Sequence, residues 1–455
     1  MVRSLEQLTM RKVYLRILPF AALTYFFCYL DRINVSFASL TMNKELGLDP
    51  ALYGFTSGMF FWGYVLFEVP SNIILEKLGA RLWIARIMVT WGLTSAATAL
   101  CTGPWSFGIV RLLLGFAEAG LFPGLVLYFT YWFPEHHRAR INSGFTLALP
   151  IAVASGSPVS TALLGLDGLF GLRGWQVMFI AEAIPTVLIG VAVLLLLTDR
   201  PEQARWLNPE ERNWLAARLT AERKRIQETH NVDVWRSFWD PKVLLLSLNY
   251  LGIVTASLGM LFFVPQIVKQ LNLSNMEVGW VTMIPYICGA IAMVTAGWIS
   301  DRVGDRRWLL FATCLLAMFG LIIAGMTVGT VWVVVGISIA AAGFYGTKGP
   351  FWAIPSMFLT GTAAASGIAW INSLGNLGGS AGPTIVGWLK NQQSFGWLEP
   401  VLGSHAANWL SQATGSFAGG FYALAACCFV SAIVSLFWLR PPRTTTTEEL
   451  LAPAE

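Results

Sequence analysis

The sequence predicts an all-α, polytopic membrane protein of twelve transmembrane helices in two pseudo-symmetric six-helix bundles. Three observations predict it. Hydrophobic residues make up 55% of the chain and charged residues only 12%, against about 25% charged in ordinary soluble domains, so lipid must solvate much of the surface. Apolar runs long enough to cross a bilayer core, roughly 20 residues each, recur from one end to the other. Finally, a charged loop motif and an intramembrane proline each reappear at an offset of 225 positions.

The runs fall near 14–40, 51–75, 82–102, 106–132, 141–165, 176–198, 243–268, 276–299, 308–328, 331–360, 363–390 and 417–440. Barrel strands would be about 10 residues long and alternate in polarity, which these do not. Residues 1–16 carry Arg3, Arg11, Lys12 and Arg16, with no small-residue cleavage site before the first long run, so the first span is expected to be retained rather than removed as a signal peptide.

A charged stretch, 199–242, separates six runs from six. It divides the chain into an N-terminal bundle (1–198), a linker and a C-terminal bundle with a short tail (243–455). Within the linker, Trp206, Trp214, Leu215 and Leu219 recur at helical spacing and Asn208–Pro209 reads as an N-cap followed by proline at the first turn. A cytoplasmic surface helix joining the bundles is predicted.

The net charge of +5 invites a nucleic-acid reading, but its distribution argues for topology. With a cytoplasmic N-terminus, 23 Lys/Arg fall on the cytoplasmic side, four on the other (Lys44, Arg173, Lys269, Lys390) and three within spans. That asymmetry follows the positive-inside rule and puts both termini in the cytoplasm of a cell whose inner membrane holds the protein. Cys28, Cys101, Cys288, Cys314, Cys427 and Cys428 form no C-x-x-C pair or spaced ligand set, so neither disulfides, a metal nor a cofactor is expected. No activated Ser/His or Cys/His arrangement and no phosphate-cradling loop points to an enzyme.

The repeated loop reads Asn72-x-x-x-Glu76-Lys77-x-Gly79-x-Arg81 after span 2 and Gly297-x-x-x-Asp301-Arg302-x-Gly304-x-Arg306-Arg307 after span 8. Glycine permits a tight turn, the acid can sit at a neighbouring helix N-terminus, and the basic residues mark the cytoplasmic face. Pro158 and Pro383 share the same offset, and duplicated halves are a mark of transporters.

These loops, the six-plus-six layout and Arg111-x-x-x-Gly115 in span 4 resemble the major facilitator superfamily. Longer strings, YLDRINVSFASLTM (29–42), FEVPSNIILEKLGAR (67–81), RLLLGFAEAGLFPGLVLYFTYWFP (111–134), DRPEQARWL (199–207) and GPFWAIPSMFLTG…INSLGNLGGSAGP (349–383), are similar to its anion:cation symporter family. The resemblance spans nearly the whole chain. It implies secondary active import of a small organic anion by proton symport with alternating access. Sugar acids, tartrate-like hydroxy diacids and aromatic carboxylates are the implied substrates. Two alternatives stay open: an exchanger or facilitator on the same fold that moves no proton, and a membrane-embedded anion sensor. A monomer is expected.

Ionisable residues at bilayer depth are costly and should be paired and face an interior cavity. The candidates are Asp31 and Arg32 in span 1, Arg111 and Glu118 in span 4, and Lys348 in span 10. At about 1.5 Å per residue, Asp31 and Arg111 reach similar depths, and an ion pair between them is expected. Arg32 would then await an anionic substrate, and Glu118 could be kept neutral by a proton, because desolvation disfavours its charged form. All four histidines (His136, His137, His230, His405) fall in loops, leaving Asp31 and Glu118 as the coupling-proton carriers. The resemblance assigns the same roles to these carboxylates and to Arg111.

Lys348 lies among Gly343, Gly346, Gly349 and Pro350, which loosen the helix; it either supplies a second positive contact or snorkels to the cytoplasm. Asn372, Asn376, Asn249, Tyr250 and Tyr64 are polar enough to contact substrate, or else serve helix packing. Glu68 and Glu182 read as structural. The segment 391–416, with Trp397, Glu399, His405 and Trp409, has no functional reading.

Overall fold

A computed structural model describes residues 5–229, 239–303, 306–355, 361–391 and 416–437. In chain order the helices are α1 (Leu5–Glu45), α2 (Pro50–Leu78), α3 (Ala80–Ala97), α4 (Pro104–Glu118), α5 (Leu121–Thr130), α6 (Glu135–Thr146), α7 (Ala148–Leu164) and α8 (Gly174–Leu196). After α9 (Pro209–Thr229) come α10 (Pro241–Lys269), α11 (Asn275–Val303), α12 (Arg306–Met326), α13 (Trp332–Gly346), α14 (Lys348–Ala353), α15 (Gly361–Asn376), α16 (Gly378–Asn391) and α17 (Phe417–Phe437). Among the described residues there is no strand, as a bilayer requires of an open fold, since only helices satisfy their own backbone groups in hydrocarbon.

Nine helical segments are long and apolar enough to cross a bilayer: 5–45, 50–78, 104–130, 135–164, 174–196, 241–269, 275–300, 306–326 and 417–437. The other three expected spans fall on α3, on α13 with α14, and on α15 with α16, where the helices are short or interrupted. Local chemistry sets the ends. Asp49 caps α2 by accepting from the Leu52 amide at 2.8 Å, with Pro50 as the first helical residue, and Asp240–Pro241 repeats the device at α10.

The first and second halves of the chain meet most closely where α2 begins and α16 ends. A Cβ on Gly54 would overlap the Pro383 carbonyl, one on Gly387 the Pro50 carbonyl, and one on Gly379 the ring of Phe61. Gly279 of α11 makes a similar approach to Ser157 and Thr161 of α7. The Tyr53 hydroxyl shares its proton between the carbonyls of Val35 (3.2 Å) and Phe262 (3.1 Å), tying α1 and α2 to α10. Small residues let membrane helices approach this closely. Here they seal one end of the molecule.

The linker helix α9 docks on the first half. Leu215 and Leu219 are buried, Trp206 stacks on Trp132 at 5.3 Å, and Lys12 of α1 donates to Glu211 at 2.7 Å. Glu211 also accepts the Asn208 amide at 2.9 Å, closing the N-terminus that Asn208–Pro209 predicts. Burial opposes its charge, but the Lys12 ammonium and the Asn208 amide outweigh that and hold its carboxyl below the usual range.

The loop motif after α2 works as a backbone device. Gly79 has φ +93°, a conformation that favours glycine, and Asp199 lies where a Cβ would come within 2.9 Å of its carboxylate. Asp199, from the end of α8, accepts the Arg81 amide at 2.8 Å at the start of α3. The acid at this helix N-terminus is therefore Asp199 and not Glu76, which is solvent-exposed beside exposed Lys77. In the second copy, Arg302 stacks on Trp298 at 3.6 Å and Arg306 donates to the Ala353 carbonyl at 3.2 Å. Gly297 is approached by Gly349 of α14. Gly304 and the side chain of Asp301 lie outside the described residues, as do His230, His405 and the other residues singled out in 391–416.

Candidate functional site

Arg111 and Glu118 reach the interior because Gly115, between them, lets α4 lie against the α2 backbone: a Cβ there would overlap the Phe60 carbonyl. Glu118 is the last residue of α4. The helix then breaks at Gly120, φ +88°, and Ser71 of α2 donates to the freed Ala119 carbonyl at 2.7 Å. A broken helix at this depth is tolerated where protein satisfies its backbone.

Arg32 and Glu118 form an ion pair in which both Nε (2.8 Å) and Nη2 of the arginine donate to Glu118 Oε1. The Cys28 thiol donates to the same oxygen at 3.2 Å. Glu118 is fully buried, whereas the Arg32 side chain keeps 16% exposure, so the arginine is the member that can meet a solute. Its guanidinium stands 5.2 Å from the ring centre of Tyr29, 5.4 Å from Phe60 and 5.3 Å from Tyr64. Arg111 is buried 5.0 Å from the centre of the Phe60 ring, and its Nε has no hydrogen-bond partner among the described residues.

The expected Asp31–Arg111 pair is not formed. Asp31 accepts from Asn34 (3.1 Å), Ser95 (3.1 Å) and Thr186 (3.5 Å) instead. The reason is azimuthal: successive helical residues turn by about 100°, so when Arg32 faces α4, Asp31 faces α3 and α8. Arg32, expected to await an anion unpaired, is the residue that is paired.

The second half contributes Lys348, the first residue of α14 after the break at Thr347. Its ammonium lies 5.4 Å from the Tyr250 ring centre and within electrostatic range of Tyr29 and Arg32. It therefore faces the first half instead of snorkelling away. Tyr250 stacks on Phe351 at 4.9 Å and meets Trp352 edge-on at 5.1 Å. Asn372 donates to Glu68 at 2.8 Å and Ser373 to the same carboxylate at 2.6 Å, a tie between α2 and α15. Asn376 ends α15, half-buried. Asn249 drops out of the binding set: fully buried, it donates to the Ser431 carbonyl (2.6 Å) and Ser435 hydroxyl (2.9 Å), locking α10 to α17.

Sequence reasoning gave Glu68 and Asp199 no part here. Glu68 was visible as an intramembrane acid before proline, and Asp199 as the charge that follows span 6. Among the described residues, one group has metal-ligand spacing: Glu6, His136 and His137, with ligand atoms within 4.8 Å of one another. His136 and Glu6 are in contact at 2.8 Å, an exposed pair away from the interior charges.

Interrupted helices around buried, facing charges define a multi-pass membrane transporter, not an enzyme. The chain belongs to the Major Facilitator Superfamily, whose family profile matches residues 21–383. It is 45% identical over 437 residues to a protein of Agrobacterium vitis that bears a tartrate-transporter name, covering 96% of this chain and 92% of that one. It is 39% identical to a quinolone resistance transporter of Acinetobacter baumannii, over 85% of this chain and 89% of the relative. Among solved structures, a bacterial homologue of the human lysosomal transporter Spinster, inward-facing and occupied, aligns with a TM-score of 0.74 at 17% identity, covering 96% of this chain and 98% of that one. This likeness concerns the fold alone.

Proposed function

We propose that the chain imports a small organic anion, a hydroxy dicarboxylate of the tartrate kind foremost, by proton symport. One observation carries the reading: Arg32 from the first half and Lys348 from the second lie within electrostatic range of each other inside the fold, with Tyr29 and Tyr64 beside the arginine and Tyr250 beside the lysine. A two-carboxylate solute can bridge them, and the tyrosine hydroxyls suit its hydroxyls. The tartrate-transporter name of the relative at 45% identity supports the substrate class.

Coupling runs through Glu118. Ionised, it holds Arg32; protonated, it releases the guanidinium to an incoming carboxylate, so proton and anion enter together. Asp31 is the second proton carrier. The bundles 1–198 and 243–455 rock about the site, joined by 199–242. In the inner membrane, with both termini cytoplasmic, the glycine-sealed end faces outward and the described state is inward-facing. The protein acts as a monomer.

Proteoliposomes test this with tartrate and a panel of other carboxylates, with and without a pH gradient. Tartrate is expected to accumulate when the outside is acidic, and Asp31→Asn and Glu118→Gln to abolish that accumulation. Undiminished gradient-driven accumulation in both variants overturns the proton coupling. A panel in which no carboxylate moves overturns the anion. Accumulation only in the outward direction overturns import and favours export.

A further inference from the structure

Beside the charges already described lies a second buried acidic centre, wholly within the first half. Asp31 is 2% and Glu182 3% exposed. Asn34, one turn after Asp31 on α1, donates to Asp31 Oδ1 at 3.1 Å. Thr186, one turn after Glu182 on α8, donates to Asp31 Oδ2 at 3.5 Å. Ser95 of α3 donates to Asp31 (3.1 Å) and Ser160 of α7 to Glu182 (2.7 Å). Hydroxyls from three helices thus serve the two carboxylates, and Thr186 links the Glu182 helix directly to Asp31.

The hydrogen-bond inventory of this centre is short of protons. Glu182 Oε2 and Asn34 Oδ1 are both buried acceptors with no donor among the described residues, whereas buried polar atoms are nearly always satisfied. Among the described residues no Lys, Arg or His pairs with either acid. Two ionised carboxylates this close and this dry would repel each other and lose their hydration together. A proton on one of them removes a negative charge and supplies a missing donor in a single step.

We propose that Asp31 and Glu182 form one proton-binding unit, with Glu182 acting on Asp31 as a positioning residue from the helix whose Thr186 reaches Asp31. The unit holds one proton and one negative charge between its two carboxyls in the described state. This rests on the proton-symport reading above and extends it: the proton assigned to Asp31 belongs to a pair. The other groups facing the unit are Cys28 of α1 and Arg111 and Glu118 of α4; α3 and α7 present Trp91, Ser95 and Ser160 among the described residues.

Infrared difference spectra of the purified full-length protein across pH read the unit without transport. The wild type should show a protonated carboxyl band at neutral pH that is lost in both Glu182→Gln and Asp31→Asn and kept in Glu182→Asp. In proteoliposomes, removing the neighbouring acid should let Asp31 lose its proton more easily. The pH midpoint of gradient-driven tartrate uptake should then fall by about one unit in Glu182→Gln, and stay near the wild-type value in Glu182→Asp. An unchanged band and an unchanged midpoint in Glu182→Gln overturn the pair. Wild-type uptake indifferent to the gradient sinks the symport reading instead, and the infrared band then decides the pair alone.

Discussion

Arg32 shows what a single residue can be asked to do. It contacts Glu118 through two nitrogens and sits among three aromatic rings, using the planar shape that an ammonium lacks. Arg32→Lys keeps the charge and loses that geometry, so the KM for tartrate should rise about tenfold or more in counterflow assays, with the thermal unfolding midpoint little changed. At this scale the sequence disclosed which charges are interior, because ionisable residues inside apolar runs are conspicuous. It did not disclose their partners. Depth along a helix follows from counting residues, but direction depends on how α1 is rotated against its neighbours, and a single step from Arg32 to Asp31 changes the helix faced. Asn249 and Asn372 illustrate the same gap: both are polar residues in apolar runs, yet one bonds α17 and the other reaches Glu68 across the halves.

Among the elements, the linker helix α9 was legible in sequence from its periodicity and its Asn208–Pro209 start. What it packs against was not, because Lys12 and Trp132 are remote in the chain. The Lys12–Glu211 contact makes its docking pH-dependent. Because the folded carboxyl is held below its ordinary value, its stabilisation is present above the unfolded carboxyl range, near pH 4.3, and is lost as pH falls through the folded value. Hydrogen exchange in the amides of α9 should therefore quicken below about pH 4 in the wild type. In Glu211→Gln it should already be faster at pH 7 and show less of that acid-side rise. The break after Glu118 was hidden for a different reason: Gly120 was visible, but glycine also serves close packing, and only φ and the Ser71 bond distinguish the two roles.

For the whole molecule, hydropathy and the 225-residue repeat were enough to read an all-helical, two-part membrane fold, while the interruptions in α13–α14 and α15–α16 blur span counting by length. The closure between the halves depends on Gly54, Gly379 and Gly387, whose positions a Cβ would crowd against backbone or ring atoms. Gly54→Ala should hold this end ajar. Ser380→Cys, introduced with the six native cysteines replaced, should be shielded from a water-soluble thiol reagent when Gly54 is present and become reactive at least about tenfold faster beside Gly54→Ala.

A seam made largely of main chain against main chain has few interlocked side chains to withdraw before it parts. Its cohesion is spread thinly over many weak contacts, so no one contact acts as a latch. Influences that press on entire helix faces, such as the thickness and lateral pressure of the surrounding lipid, should set the tempo of the cycle more than any exchange that leaves those faces smooth.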